Sequence, residues 1–138
     1  MNPGFWLRAG AIWGFLAISM GAFGAHGLKE RFLMLGEQPG GFTAERLEAS
    51  FHTGAQYHMY CALALLAVGV MAETGRGSTA LQAAGWSLLL GSLVFSGSLY
   101  ILAVTGIKRL GAITPIGGVV MLIGWLALAV AAGSSARQ

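Results

Sequence analysis

The charge-free stretch Ala9–Ala25, AGAIWGFLAISMGAFGA, decides the fold class. Together with the apolar residues from Phe5 onward, it is long enough to cross a bilayer, whose hydrocarbon core needs about 20 helical residues. Glycine or alanine recurs every three or four positions, which places small residues on one face of a helix. The stretch therefore predicts a membrane-spanning helix that packs closely against a neighbour.

The composition extends this prediction to the whole chain. Of its 138 residues, 56% are hydrophobic and 9% are charged, and the mean hydropathy is +0.71. Soluble domains usually carry about 25% charged residues. The formal net charge of +3 comes from scattered residues, with no basic run longer than Lys108-Arg109, so we expect contact with a lipid bilayer and none with nucleic acid. A single cysteine, Cys61, excludes an intramolecular disulfide.

Four segments have the length and composition of membrane spans, at about 5–25, 55–72, 80–104 and 115–132. No linker divides them, so residues 1–138 are expected to form one domain, with the first segment retained rather than cleaved as a signal peptide. Thr43 is a predicted N-cap for a helix that either lies on the interface or continues into the second span. Thr114 followed by Pro115 predicts the N-cap of the fourth span. The fold class is an all-α, integral membrane four-helix bundle with a short interfacial helix in the first connection.

Small residues recur at helical spacing in the first and fourth spans, where they are expected to pack helices within the bundle. An oligomer or partner face on the first span is the alternative. The glycines of this set are Gly10, Gly14, Gly21, Gly24, Gly117 and Gly124.

With four spans, the polar residues at several helix ends fall on the same side of the membrane. They are predicted to form either a ligand site or a cluster that ties helix ends together: His26, Gln56, Tyr57, His58, Ser96, Tyr100 and Thr114. Tyrosines and tryptophans near span ends, such as Trp6 and Trp13, are alternatively interfacial anchors. A weaker hypothesis makes a metal site from His26, His58 and Cys61. No cofactor follows from the sequence.

Charged residues are too few to indicate catalysis or to set the orientation. The chain has no Asp, and Glu73 is its only carboxylate side chain outside the first connection, so we do not expect an enzyme. Cations divide five to four between the two sides when the terminal amine is counted with Arg8, Arg76 and Arg137. That bias is too small for the positive-inside rule to decide the orientation.

Four blocks of the chain together resemble the domain of unknown function 423 family, which includes the bacterial relatives of transmembrane protein 256. The blocks are MGAFGAHGL (20–28), TGAQYHMYCALALL (53–66), FSGSLYILAVTG (95–106) and ITPIGGVVMLIGW (113–125). The resemblance implies a multi-pass protein of the bacterial inner (plasma) membrane and brings no established reaction or ligand. The residues that match its pattern are Gly21, Gly24, Ala25, His26, Tyr57, Ser96, Gly97, Tyr100, Thr114, Pro115, Gly117 and Gly118. Cys61 stands where the family often has His.

Three functions are compatible with these observations. The first is a structural or accessory subunit of a larger membrane complex, which the scarcity of acidic residues and the close-packing residues favour. The second is a binding or transport module for a small apolar or amphipathic molecule, lipid or quinone-like, near His26, Tyr57 and Tyr100. The third is a metal-dependent enzyme or metal sensor that uses the two histidines and the cysteine.

Overall fold

A computed structural model describes residues 4–75 and 78–134, apart from the side chain of Ser134. Within these ranges the chain forms helices and no strand. In chain order these are α1 (Gly4–Gly27), α2 (Lys29–Gly36), α3 (Ala44–Glu73), α4 (Thr79–Thr105), a 3₁₀ helix (Lys108–Ala112) and α5 (Thr114–Ser134). Helices α1, α3, α4 and the segment containing α5 are long and apolar enough to cross a membrane, which confirms the all-α membrane fold. Arg76 and Arg137, which entered the orientation argument, lie outside the described residues.

The first connection contains a short helix, the eight-residue α2. Of the two alternatives for the helix that follows Thr43, continuation into the second span is present, because the helix that begins at Ala44 runs to Glu73 without a break. No proline interrupts this range, so continuation is unhindered. Thr43 caps α3 as expected, because its hydroxyl accepts a hydrogen bond from the backbone N–H of Arg46 at 3.3 Å.

The fourth span begins differently from the prediction, and Thr114 is not its N-cap. Thr114 is already the first residue of α5, and Ile113 alone separates α5 from the 3₁₀ helix. Its hydroxyl donates to the carbonyl of Leu110 at 3.3 Å instead of accepting from an N–H of the new helix. At the third span, Ser78 does act as the cap and accepts from Leu81 N–H at 3.1 Å.

The long helices contact one another mainly in the order α1, α3, α4, α5. Helices α3 and α4 therefore have a long neighbour on both sides, and α1 and α5 are the outer helices. Burial follows this order. In the most apolar 18-residue stretch of each helix, 39% of the residues of α3 and 44% of those of α4 are buried, against 17% for α1 and 22% for the segment containing α5. In a membrane, the exposed apolar surface of the outer helices faces lipid.

Glycines on α1 allow its close contact with α3. A Cβ atom built on Gly10 would lie 2.8 Å from the backbone nitrogen of Leu66, and one on Gly24 would lie 2.5 Å from the ring of Phe51. No side chain fits at these two positions without a shift of the α3 backbone, at Gly10, or of the buried Phe51 ring, at Gly24. Two further glycines of the set have ordinary contacts, of 3.7 and 4.0 Å, with alanine side chains of α3: Gly14 and Gly21.

The contact between α4 and α5 has the same character. A Cβ on Gly91 of α4 would lie 2.7 Å from the backbone nitrogen of Met121. On α5, a Cβ built on Gly117 would clash with the backbone of Phe95, and one on Gly124 would lie 2.9 Å from the side chain of Leu88. Helix α5 is therefore held against α4 at backbone distance along several turns.

The first and last connections fold together over one end of the bundle, which we call the connection end. Phe32 and Leu35 of α2 are buried in a small core with Phe51 and Leu102. The connections are tied down by two hydrogen bonds to backbone carbonyls: Arg31 Nε to Val104 at 3.0 Å and Lys108 Nζ to Gly40. Polar and charged residues of this end are thereby fixed next to the ends of α3, α4 and α5.

Candidate functional site

A large cavity lies between α3 and α5, with α4 as its floor, and we call it the α3/α5 groove. Its volume is about 770 Å³, within the range of ligand pockets in proteins. Its walls are almost entirely apolar, and its lining includes Tyr57, Tyr60, Ala67, Phe95, Met121 and Trp125. The groove is open at the side, so in a membrane it is accessible from the lipid phase.

The groove exists because α5 packs closely along α4 and not along α3. The glycine contacts described above hold α5 against α4, and toward α3 the side chain of Met121 makes a buried contact, in which the thiol of Cys61 donates to its sulfur at 3.4 Å. Small residues form part of the wall, namely Ala64, Ala67 and Gly118. Space between the two helices therefore remains unfilled by side chains.

Two tyrosines lie at the end of the groove that is nearer the connection end. The rings of Tyr57 and Tyr60 are 42% and 46% exposed, with their centroids 5.7 Å apart. Gln56 donates from Nε2 to the Tyr60 hydroxyl at 2.6 Å, and the Tyr57 ring lies 5.0 Å from the ring of Phe95. This end of an otherwise apolar groove therefore carries polar groups, an arrangement suited to an amphipathic molecule.

A second set of polar residues is buried between α1, α3 and α4. Nδ1 of His58 and the hydroxyl of Tyr100 are hydrogen bonded at 3.2 Å. The ring of Trp13 stands edge-on to the imidazole at 4.7 Å, and its indole N–H donates to Ser92 at 2.9 Å. These contacts connect three helices, so the predicted proximity of His58 and Tyr100 is present inside the bundle.

Two buried polar atoms of this region have no hydrogen-bond partner among the described residues, namely Nε2 of His58 and the hydroxyl oxygen of Ser96. Thr114, another member of the predicted cluster, is hydrogen bonded to Ser98 at 2.8 Å. Ser96 and Thr114 are thus not joined to each other.

His26 lies apart from these groups. Its side chain is exposed, because Gly24 is the residue of this turn that packs on α3, and a position two residues later is rotated by about 200° around a helix. Among the described residues, no group of three His, Cys, Asp or Glu side chains is arranged to hold a metal ion. The structure therefore does not gather His26, His58 and Cys61 into a ligand set.

A smaller cavity at the connection end lies next to the α3/α5 groove and shares Phe95 with it. We call it the rim pocket; its volume is about 470 Å³. Arg46 and Lys108 line it, and both cations lie against the ring of Phe42, at 4.7 and 5.5 Å from its centroid. No sequence pattern indicates this pairing, because the two cations are 62 residues apart and meet only through the fold.

Comparison with known proteins agrees with the architecture. Residues 20–118 match the family model described as Protein of unknown function (DUF423). The chain belongs to this family. It is 46% identical over 123 residues to the UPF0382 membrane protein YwdK of Bacillus subtilis, covering 89% of this chain and 91% of that one.

Staphylococcal relatives are similar to nearly the same extent. A UPF0382 membrane protein of Staphylococcus epidermidis is 41% identical over 122 residues, and the UPF0382 membrane protein SAB0533 of Staphylococcus aureus is 43% identical over 122 residues; each match covers 88% of this chain and 89% of the relative. No solved structure matches the chain. With its four candidate spans, the DUF423 chain is a multi-pass protein of the bacterial plasma membrane.

Proposed function

We propose that this protein, acting as a single domain, binds a small amphipathic molecule from the membrane, of the lipid or quinone-like class, in the α3/α5 groove. The observation that carries the proposal is the groove itself, which combines an apolar wall, a lateral opening and polar side chains at one end. The wall suits a hydrocarbon chain, and the hydroxyls of Tyr57 and Tyr60 suit a polar head.

The length of the groove supports a chain that occupies one leaflet. Tyr57 and Ala67 are ten residues apart on α3, which corresponds to about 15 Å along the helix axis. That distance is about half of a hydrocarbon core of about 30 Å. A molecule with its head at or beyond the tyrosine end of the groove would extend its chain toward Ala67 and Trp125.

The proposal is tested by identifying what copurifies with the protein in mild detergent. Mass spectrometry of the extracted lipids is expected to find one species enriched over its share of the membrane. Ala67→Phe, which places a ring in the groove, should return the bound material to bulk proportions. Ala83→Phe is the matched control, because Ala83 is exposed on α4 and does not line the groove. Bound lipid in bulk proportions in all three proteins would refute the proposal.

The second candidate is a non-catalytic structural or accessory subunit of a larger membrane assembly. It is supported by the outer surface of α1, where Ile12, Phe15 and Ile18 are each at least 60% exposed. Against it, the small-residue face of α1 is occupied by α3 and is not available to a partner. Native mass spectrometry of the same preparation distinguishes the two, since an accessory subunit retains a discrete second chain and a binding protein retains a small molecule.

A further inference from the structure

We infer that the amphiphile held in the α3/α5 groove is an anionic lipid, whose phosphate is bound at the rim pocket by Arg46 and Lys108. This inference rests on the proposed function and adds to it the chemical class of the head group. It starts from the position of the two cavities, which share Phe95 and follow one face of α3. The α3 residues lining them share one side of the helix, at positions 46, 50, 57, 60, 61, 63, 64 and 67.

The rim pocket carries positive charge without a carboxylate to balance it. None of its lining residues is acidic, and within the described residues the salt bridge present joins His52 to Glu48, not to either cation. Arg46 and Lys108 share one aromatic ring, Phe42. Like charges that line one pocket repel each other, and an anion that contacts both cations would offset that repulsion.

The hydroxyls at this site are already engaged, which leaves recognition to the cations. Ser50 donates to the carbonyl of Arg46 at 2.8 Å, and Thr114 is bonded to Ser98 and Leu110. A guanidinium and an ammonium are the side chains that bind phosphate most effectively. Lys108 keeps its position through its hydrogen bond to the Gly40 carbonyl, and an ammonium group has two further N–H donors.

The floor of the rim pocket indicates a lipid rather than a free anion. Leu99, Leu102 and Pro115 also line the rim pocket, which adjoins the groove at Phe95, a residue that lines both cavities. A phosphate with a hydrocarbon chain satisfies both parts at once, whereas inorganic phosphate would leave the apolar part uncovered. The first helical turns of α3 and the 3₁₀ helix thereby place cations where the head groups of a bilayer lie.

The experiment is native mass spectrometry of the full chain in mild detergent, titrated with phosphatidylglycerol or with phosphatidylcholine of the same acyl chains. The wild type should bind phosphatidylglycerol in preference. The Arg46→Gln/Lys108→Gln double variant should lose that preference through a reduction in phosphatidylglycerol affinity on the order of tenfold or more, the effect of removing charge-assisted hydrogen bonds. Lys29→Gln/Arg109→Gln is the control, because it removes the same charge from the same end outside the rim pocket.

Retained preference in the Arg46→Gln/Lys108→Gln variant would overturn the inference, as would equal loss in the Lys29→Gln/Arg109→Gln control. Inorganic phosphate that binds the wild type as tightly as the lipid would overturn it too. Since Lys108 also holds the Gly40 turn, Arg46→Gln alone is measured as a variant that leaves this hydrogen bond intact, and it should weaken the preference by itself.

If Ala67→Phe still blocks both lipids while the charge variants do not discriminate, only the head-group assignment fails. If Ala67→Phe changes nothing, the proposed function fails.

Discussion

The two faces of the α3–α4 pair are built in opposite ways. On the face covered by α1, which we call the closed face, glycines bring α1 to backbone distance from α3 and two tryptophans reach across to α4. On the face beside α5, the open face, equally close glycine contacts hold α5 to α4, but a cavity of about 770 Å³ remains between α5 and α3.

The difference lies in which side chains cross from the outer helix to the farther inner helix. From α1, the indole N–H of Trp6 donates to Gln82 at 3.2 Å and that of Trp13 to Ser92 at 2.9 Å. From α5, Met121 reaches Cys61. Large aromatic side chains therefore fill the closed face, whereas a flexible thioether leaves space on the open face. A stable seam and a binding groove are thus compatible in one small bundle.

The largest effect is expected from adding a methyl group to the closed face. Gly10→Ala places a Cβ at 2.8 Å from the backbone nitrogen of Leu66, where backbone cannot move aside cheaply. We expect the free energy of unfolding in detergent to fall by about 2–3 kcal/mol, the usual cost of overpacking. Thermal unfolding followed by circular dichroism measures it.

Gly14→Ala is the matched control for this prediction, one helical turn away on the same face. Its Cβ would lie 3.7 Å from the methyl group of Ala62, an ordinary contact. The gain in helix propensity, up to about 1 kcal/mol, should leave this variant as stable as the wild type or slightly more so. Equal melting of the Gly10 and Gly14 variants would mean that α1 does not approach α3 as closely as described.

The next largest effect concerns the hydrogen bonds of the buried region. Ser92→Ala removes the acceptor of the Trp13 indole N–H and leaves that donor unpaired, at a cost of about 1–2 kcal/mol. Ser96→Ala removes a hydroxyl that has no partner among the described residues, and we expect little change in its melting temperature. If Ser96→Ala were less stable than Ser92→Ala, the Ser96 hydroxyl would have to be hydrogen bonded in the folded protein.

Most of the helix contact on the closed face could be predicted from the sequence, but the position of Trp6 could not. Glycines at helical spacing predict a close helix contact, and their positions along α1 indicate which face of the helix makes it. The position of Trp6 near a span end is typical of an interfacial anchor, yet Trp6 is 1% exposed and packs on α4. A tryptophan near a span end is compatible with both positions, and only the presence of Gln82 across the bundle decides between them.

The candidate site was much harder to predict than the spans. Tyr57 and Tyr100 were expected together with His26, but Tyr57 faces the open side, Tyr100 is bonded inside the bundle and His26 is exposed. Topology assigns a residue to one end of the bundle and does not give its rotation about the helix axis. The groove itself depends on the distance between α3 and α5, which no local pattern encodes.

The smallest effect is expected on the open face and has the opposite sign. Gly118 lines the groove, and a Cβ built on it would lie 3.7 Å from the ring of Phe95, an ordinary contact. Gly118→Ala should therefore raise the free energy of unfolding by about 0.5–1 kcal/mol, because alanine favours the helix and limits the unfolded chain. Thermal melting of the delipidated protein in detergent measures this gain. A loss of stability comparable to that of Gly10→Ala would mean that α5 closes onto α3, and the two faces would then be alike. A gain in stability together with weaker lipid retention would instead indicate that this glycine is kept for the space it leaves to a bound chain.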